Sequence, residues 1–229
     1  MKSRKGIMVE FLMRILIMIV LVALVIKITE RVAEAFFGSS NSAQSAENLV
    51  TELNSLKNDE SRQAFLTLDE GTAVIGFSKN AKEFRCYGCQ QIYGAAFSEK
   101  LLYYSIDKPS NNECNGKSCI CACLSGFALG SVSGSESKII CKSFSCNALN
   151  DDFPSRTSLE GALKNRNIQL ASYPYWENGF FFVRRGNAET PLNGMMPPND
   201  LSKITIFIEK KQINDNAFVA ACPMAPCIQ

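Results

Sequence analysis

The sequence contains no histidine among its 229 residues. Without histidine the chain lacks the commonest general base, the Ser-His and Cys-His nucleophile pairs, and every zinc site that combines histidine with cysteine or carboxylate. Most familiar hydrolase mechanisms are therefore excluded. Because no other group of residues indicates catalysis, we interpret the protein as a non-enzyme without a cofactor.

The chain also lacks an excess of positive charge. It has 24 basic and 22 acidic residues, and six of the basic and three of the acidic ones lie within residues 1–37. The rest of the chain therefore carries 18 basic (24 − 6) against 19 acidic (22 − 3) residues. No basic surface of the kind that binds nucleic acid is expected.

The uncharged apolar run from Ile15 to Ile26 is short for a membrane span. As a helix it measures about 18 Å, whereas the hydrocarbon core of a bilayer is about 30 Å thick. A longer span is possible if it starts at Ile7 and includes Glu10 and Arg14, which have the i, i+4 spacing of a helical ion pair. The sequence therefore predicts a transmembrane helix that contacts lipid through residues 7–27.

The charges on either side of this span predict its orientation. Residues 1–6 contain three basic side chains, whereas the basic and acidic side chains that follow the span nearly cancel. The positive-inside rule then places the amino terminus in the cytoplasm and everything after about residue 27 outside. Two alternatives remain open: a cleaved signal peptide ending at Ala33-x-Ala35, and a buried helix of a cytosolic protein.

The stretch from Lys5-Gly6 through Ile7 and Glu10 into a long apolar helix resembles the class III signal peptides of type IV pilins, especially the archaeal ones. The resemblance covers about residues 1–35. It implies cleavage after Gly6 by a membrane peptidase and a helix that anchors the subunit or packs in a filament. In that family a glutamate lies fifth after the cut, whereas Glu10 here is fourth, and Arg14 is atypical.

Beyond the span, two patterns predict a stalk and a domain. Residues 7–37 read as the transmembrane helix with a juxtamembrane extension, after the basic leader 1–6. Residues 38–64 contain "GSSNS", which breaks the helix, and then Leu49, Leu53 and Leu56 at helical spacing, and we interpret them as a stalk linker with an amphipathic helix. Residues 65–229 contain many short apolar strands and form the predicted domain.

Three local signals within residues 65–229 predict connections. Asn178-Gly179 separates two apolar runs and is a strong β-hairpin signal. Residues 214–216, "NDN", are expected to turn the strand "ITIFIEKK" back into "AFVAAC". Thr157 and Glu160 have the spacing of a capping box, which predicts a short helix that follows.

The ten cysteines are the strongest chemical signal, and an extracytoplasmic location favours disulfides over thiols. All ten are disulfide candidates: Cys86, Cys89, Cys114, Cys119, Cys121, Cys123, Cys141, Cys146, Cys222 and Cys227. If "CICAC" is a strand, its three cysteines share one face with Cα atoms about 6.6 Å apart, so each is expected to find a separate partner elsewhere. Cys141/Cys146 and Cys222/Cys227 are spaced to close small loops.

Two alternatives use the same cysteines differently. An all-thiolate zinc or iron–sulfur site would take Cys86 and Cys89 as one pair of ligands and two of Cys119, Cys121 and Cys123 as the other. A thiol-redox protein would use Cys86-x-x-Cys89.

Two further groups have weaker signals. The aromatic stretch "YPYWENGFFF" is interpreted either as a binding surface or, more simply, as sheet core. Asp69-Glu70, Asp107 and Asp151-Asp152 are interpreted as solvated turns.

The sequence thus predicts an α+β protein in which an N-terminal transmembrane helix and a stalk helix precede a β-rich, cysteine-rich extracytoplasmic domain. Its predicted function is that of a membrane-anchored structural or interaction protein, in its specific form a pilin-like surface subunit. Membrane lipid, like subunits and other surface proteins are the expected partners. The cell membrane is the expected location.

Overall fold

A computed structural model describes residues 14–22, 40–87, 103–125, 128–133, 136–158, 175–184, 203–213, 215–223 and 225–228. Contacts divide the chain into two compact units, Met1–Ser39 and Ser40–Gln229. Gly6, Glu10 and most of the predicted span 7–27 lie outside the described residues.

In the first unit, residues 14–22 are helical and are called α1. Each side chain from Ile15 to Val22 is between 42% and 67% exposed, and these eight apolar residues extend over all sides of the helix. Over the described residues, no helix combines the length and the apolarity that a membrane crossing requires.

The second unit contains helix α2 (Asn41–Ser55) followed by strands. The strands are β1 (Ser61–Thr67), β2 (Ala73–Phe77), β3 (Glu83–Tyr87), β4 (Tyr103–Asp107), β5 (Ser118–Ser125), β6 (Ala128–Ser133), β7 (Glu136–Ile140), β8 (Ser143–Leu149), β9 (Arg156–Ser158), β10 (Tyr175–Glu177), β11 (Gly179–Val183), β12 (Lys203–Ile213) and β13 (Asn216–Cys222). The prediction of a β-rich, cysteine-rich α+β domain is confirmed.

The strands form three sheets. Sheet A has the order β1-β12-β13, sheet B the order β11-β2-β5-β8, and sheet C the order β6-β7-β4-β3-β10-β9. Neighbouring strands are antiparallel except β4 and β7. Every residue of β2 and β11 is buried, whereas β3 alternates between buried and half-buried residues, so sheet C has one face in the core.

Large aromatic side chains fill the core between the sheets. The ring of Phe84 on β3 lies 5.9 Å from that of Phe181 on β11, and Trp176 on β10 packs edge-on against Phe182 at 5.4 Å. Gly76 on β2 leaves the room that Phe180 occupies, since a Cβ there would lie 2.5 Å from the Phe180 ring.

Helix α2 belongs to the domain rather than to a separate stalk. Leu49, Leu53 and Leu56 are buried as their spacing predicts, but they join the same core as the strands, and α2 packs against β1, β5 and β8. The predicted boundary at residue 65 is therefore wrong, because β1 already starts at Ser61 and the compact unit starts at Ser40. A helix with a buried leucine face needs a core to bury it in, and here that core is the domain's own.

The first turn of α2 is fastened by two side chains. Ser40 Oγ accepts a hydrogen bond from the Ala43 N–H at 3.0 Å, which satisfies an end group of the helix. The Asp69 carboxylate accepts from Asn41 Nδ2 at 2.7 Å and from the Ser42 N–H at 3.2 Å. Asp69, predicted to be a solvated turn residue, thus places a negative charge at the positive end of the helix dipole.

The β-hairpin predicted at Asn178-Gly179 does not form, although the turn does. The two residues form a sharp turn with positive φ values of 63° and 144°, but β10 before it pairs with β3 and β9, and β11 after it pairs with β2. The turn therefore passes the chain from sheet C to sheet B instead of closing a hairpin. At Gly179 a Cβ would lie 1.9 Å from the Gly76 carbonyl oxygen, so the turn also requires glycine there.

The other two local predictions differ in outcome. The turn near residues 214–216 is confirmed, since β12 and β13 form an antiparallel pair that closes at Ile213 and Asn216. Thr157 does not cap a helix, because it lies buried within β9 and pairs with Trp176. The helix predicted after it lies outside the described residues.

Candidate functional site

Strand β5 is the most heavily cross-linked element of the described chain. Its residues Ser118–Ser125 include the three alternating cysteines of "CICAC", all buried. Each forms a disulfide with a different partner: Cys119 with Cys114, Cys121 with Cys146, and Cys123 with Cys141. The prediction that three cross-links converge on this strand is confirmed.

Strand pairing explains why the partners are separate. Cys121 lies directly opposite Cys146 on β8, with their Cα atoms 4.0 Å apart, whereas Cys114 and Cys141 lie in the segments that enter β5 and β8. Side chains two residues apart on a strand run parallel, and their separation of about 6.6 Å is at the limit of what a disulfide spans. The cysteines of β5 therefore form disulfides with cysteines outside the strand.

One of the two predicted small loops forms and the other does not. Cys222 is bonded to Cys227, as their spacing predicts. The predicted disulfide between Cys141 and Cys146 does not form, and Ser143–Leu149 is extended as β8. Cys141 is bonded to Cys123 and Cys146 to Cys121, so neither sulfur is available to the other.

The predicted metal ligands are oxidised. Cys86, Cys119, Cys121 and Cys123 are all disulfide-bonded, and Cys89 lies outside the described residues. The sulfurs of Cys114, Cys119 and Cys121 lie within 4.8 Å of one another. Each is already in a disulfide bond, Cys114 with Cys119 and Cys121 with Cys146. Metal binding by cysteine uses the thiolate, which a disulfide does not supply.

Asp152, predicted to be a solvated turn residue, is a hydrogen-bonding centre. Its Oδ1 accepts from the hydroxyls of Ser78 and Ser118, both at 2.7 Å, and from the N–H groups of Lys79 at 2.9 Å and Phe153 at 2.8 Å. Burial alone would raise the pKa of Asp152, but these hydrogen bonds together lower it below its ordinary value. The carboxylate therefore stays ionised and joins the ends of β2 and β5.

Lys108 provides the matching cation. Its Nζ donates to the carbonyl oxygens of Ser78, Lys79 and Lys117 at 2.8, 3.0 and 2.7 Å. Burial lowers the pKa of Lys108, and the charge of Asp152 opposes that shift. All three ammonium protons are donated to main-chain oxygens, so Lys108 links the segment after β2 to the segment before β5.

Three tyrosines stack across neighbouring strands of sheet C on the face turned away from the core. Tyr87 on β3 lies between Tyr103 on β4 and Tyr175 on β10, with ring centroids 5.1 and 4.7 Å apart and planes within 29° and 20°. The guanidinium of Arg156 covers the outer face of Tyr175, with its Cζ 3.6 Å from the ring centre. We call these four residues the tyrosine ladder.

Charged side chains accompany the tyrosine ladder. Arg85 forms an ion pair with Glu83, with its Nε 2.7 Å from Oε1, and its Cζ lies 5.8 Å from the centre of the Tyr103 ring. Burial raises the pKa of Tyr175, and the carboxylate of Glu177 raises it further. Tyr175 is therefore a protonated hydrogen-bond donor at neutral pH.

The tyrosine ladder separates the two interpretations of "YPYWENGFFF". Trp176 and Phe180 are buried and form sheet core, whereas Tyr175 is half-buried on the opposite face. Alternation along a strand makes this division, because successive side chains point to opposite faces. Tyr87 and Tyr103 lie far from Tyr175 in sequence, and no local pattern connects them.

No family model, curated protein or solved structure matches this chain. The chemistry of the cysteines and of the tyrosine ladder is therefore what bears on function.

The tyrosine ladder is expected to stabilise the sheet as well as to form a surface. Tyr87 makes both ring contacts, so Tyr87→Ala is expected to lower the free energy of unfolding by about 2 kcal/mol, since each aromatic pair contributes about 0.5–1.5 kcal/mol. Tyr87→Phe keeps both ring contacts and loses only the hydroxyl, which hydrogen-bonds Arg85. It should therefore lose about 1 kcal/mol in urea unfolding, less than Tyr87→Ala. Equal losses for the two variants would contradict a stacking role.

Proposed function

We propose that the protein is a membrane-anchored extracytoplasmic protein whose disulfide-linked domain has a structural and interaction role rather than a catalytic one. The observation that carries this proposal is the oxidation state of the cysteines. All nine that are described are disulfide-bonded. Disulfides of this density persist in secreted and cell-surface proteins, whereas cytosolic thiols are kept reduced.

The anchor is supported by the exposure of α1. Eight consecutive apolar side chains, from Ile15 to Val22, are between 42% and 67% exposed. A helix that is apolar all round requires an apolar environment, and a bilayer provides one. In this proposal residues 7–27 contact lipid, the amino terminus is cytoplasmic, and the unit that starts at Ser40 is outside.

The proposed contact surface is the tyrosine ladder. Tyrosine and arginine are the residues most enriched where proteins bind each other, because they combine a large apolar area with a polar end. The ring faces are occupied by one another and by Arg156, so the ladder offers ring edges rather than a flat stacking platform. That arrangement favours a protein partner over a nucleobase, which binds by stacking.

The specific form of the proposal is a pilin-like surface subunit cleaved after Gly6. The mass of the protein extracted from membranes separates the three anchors, since an intact chain, a chain that starts at Ile7 and a chain cut after Ala35 differ measurably. A chain that starts at Ile7 favours the pilin-like form, and an intact chain favours a solitary anchored protein.

The proposal is tested in intact cells that express the full chain with an epitope tag at each end. Protease added outside should remove the carboxy-terminal tag. The amino-terminal tag should be spared in an intact chain and absent from a chain already cleaved after Gly6. Alkylation of the denatured protein without reductant should add no mass, whereas alkylation after reduction should modify ten cysteines. A protected carboxy-terminal tag together with free thiols would instead favour the alternative, a cytosolic metal-binding or thiol-redox protein.

A further inference from the structure

Among the described strands, β1 lies at the edge of sheet A and pairs with β12 alone. The Lys210 N–H donates to the Glu60 carbonyl oxygen at 2.9 Å, so Glu60 directs its main-chain groups toward β12. Direction alternates along an antiparallel strand. The N–H and C=O groups of Ser61, Gln63 and Phe65 therefore point away from the sheet.

The available edge has a defined end. At Thr67 the N–H donates to Ser45 Oγ at 2.9 Å, and the same hydroxyl donates to the Thr67 carbonyl oxygen at 2.8 Å, so α2 occupies this position. Across the described chain, the main-chain groups of Ser61, Gln63 and Phe65 form no such bond. Three residues of edge are thus left with their hydrogen-bonding groups unpaired.

The three outward residues of this edge carry no charge of their own, and the only cation–π contact to them is that of Lys203 with Phe65 in the described part of the chain. Ser61, Gln63 and Phe65 are exposed, and Phe65 has 55% of its area exposed. Natural edge strands are usually blocked by charged side chains, proline or a bulge. The only charged residue of β1, Arg62, is turned to α2, where its Nη2 donates to the Glu52 carbonyl oxygen at 2.8 Å.

We propose that this edge pairs, antiparallel, with the same edge of a second copy of the protein. A two-fold axis at Gln63 places Gln63 opposite Gln63 of the second copy, and Ser61 opposite Phe65. This register pairs all the outward groups of both strands in about six hydrogen bonds, and any shift leaves some of them unpaired. Contacts of this kind are self-complementary, as a two-fold dimer requires.

Charge favours a second copy over a foreign strand. Ser61, Gln63 and Phe65 carry no charge, and the ammonium of Lys203 lies over the Phe65 ring, 4.3 Å from its centre. In the two-fold register Phe65 lies opposite Ser61 of the second copy, so the two Lys203 ammonium groups are at opposite ends of the paired segment and no like charges face each other. A contact of this length is weak in solution. The inference therefore rests on the proposed membrane anchor, which confines copies to one plane and raises their effective concentration.

The experiment uses the full chain in membranes and a single added cysteine. In the proposed register the Cα atoms at position 63 of the two copies are about 5.5 Å apart, which a disulfide spans, so Gln63→Cys should give about ten-fold more covalent dimer under mild oxidation than Thr205→Cys. Thr205 is the control because it is exposed on the same sheet but lies on the middle strand. Equal amounts of dimer from both variants would overturn the inference.

Two mixed variants test the register. Ser61→Cys and Phe65→Cys, coexpressed as separate copies, should cross-link, whereas Ser61→Cys alone should not. Gln63→Pro added to both copies should abolish the product and leave the melting temperature almost unchanged, because the Gln63 N–H has no partner among the described residues. Cross-linking that survives Gln63→Pro would exclude edge pairing. A chain found in the membrane fraction without cross-links would refute this pairing alone, and its absence from that fraction would count against the proposed function.

Discussion

Replacing Cys121, Cys123, Cys141 and Cys146 together by alanine is expected to lower the free energy of unfolding by about 6 kcal/mol, a large part of the 5–15 kcal/mol of a typical domain. The two disulfides that these cysteines form are nested, since the Cys123–Cys141 loop lies inside the Cys121–Cys146 loop. Urea unfolding of the parent and the variant, followed by circular dichroism, measures the difference.

Nesting makes the two disulfides non-additive. While Cys123–Cys141 is intact, the loop that Cys121–Cys146 closes in the unfolded chain is only about eight residues long. Removal of the Cys121–Cys146 disulfide alone should therefore lower the free energy of unfolding by about 2.5 kcal/mol in the chain-entropy model. Removal of Cys123–Cys141 alone should cost about 2 kcal/mol, because the outer loop remains closed. The sum of the single losses is therefore smaller than the loss when both bonds are removed.

The disulfide between Cys222 and Cys227 is the control. It closes a short loop at the end of β13, outside the nested pair, and its removal should cost about 2 kcal/mol and add to either single loss. Strict additivity of the two nested disulfides would contradict this account, since each would then constrain an independent part of the unfolded chain.

Asp152→Ala is expected to have the second largest effect, a loss of about 3 kcal/mol, because two hydroxyls and two N–H groups lose their common acceptor in a partly buried site. Ser118 and Ser78 are 3% and 8% exposed, so water replaces the lost acceptor poorly. The ammonium of Lys108 also loses its favourable interaction with the charge of Asp152. Thermal unfolding at pH 7 measures the loss.

The same carboxylate predicts a pH dependence. The pKa of Asp152 is lower in the folded protein than its ordinary value of about 3.9, so the folded state binds the proton less well than the unfolded state does. Its stabilising effect is fully present well above pH 4 and is lost as the pH falls through the unfolded and then the folded pKa. The melting temperature should therefore decrease from pH 5 downward.

The variant Asp152→Asn keeps the shape of the side chain and removes its charge, so it measures what the charge of Asp152 contributes to stability. Its amide oxygen can still accept from some of the four donors, so it should be less destabilised than Asp152→Ala at pH 7, and its difference from the parent should shrink toward pH 3. A difference that stays constant over this range would show that the charge of Asp152 does not contribute.

Some features followed from the sequence because they depend on neighbouring residues. Leu49, Leu53 and Leu56 repeat at the helical period, and that alone predicts a helix with one buried face. The alternation of cysteines in "CICAC" likewise predicts one shared face and separate partners. The turn near residues 214–216 joins two strands that pair with each other, so a local signal was sufficient there.

Other features required partners that are distant in sequence. Asp152 takes hydrogen bonds from Ser78 and Ser118, which are 74 and 34 residues away, and a carboxylate in a loop carries no local sign of them. The tyrosine ladder brings together β3, β4 and β10 in the same way. Asn178-Gly179 shows the limit most clearly, since the local turn formed as predicted while the two strands it joins went to different sheets.

By itself the sequence determined the oxidised chemistry of the cysteines, the helix near residue 49 and the β-rich class, because period and composition act along the chain. Tertiary structure alone decided which cysteines pair, that α2 packs into the domain, and which edge of sheet A stays open. Those outcomes depend on strand order and register, and many different pairings of short apolar strands satisfy the same local pattern.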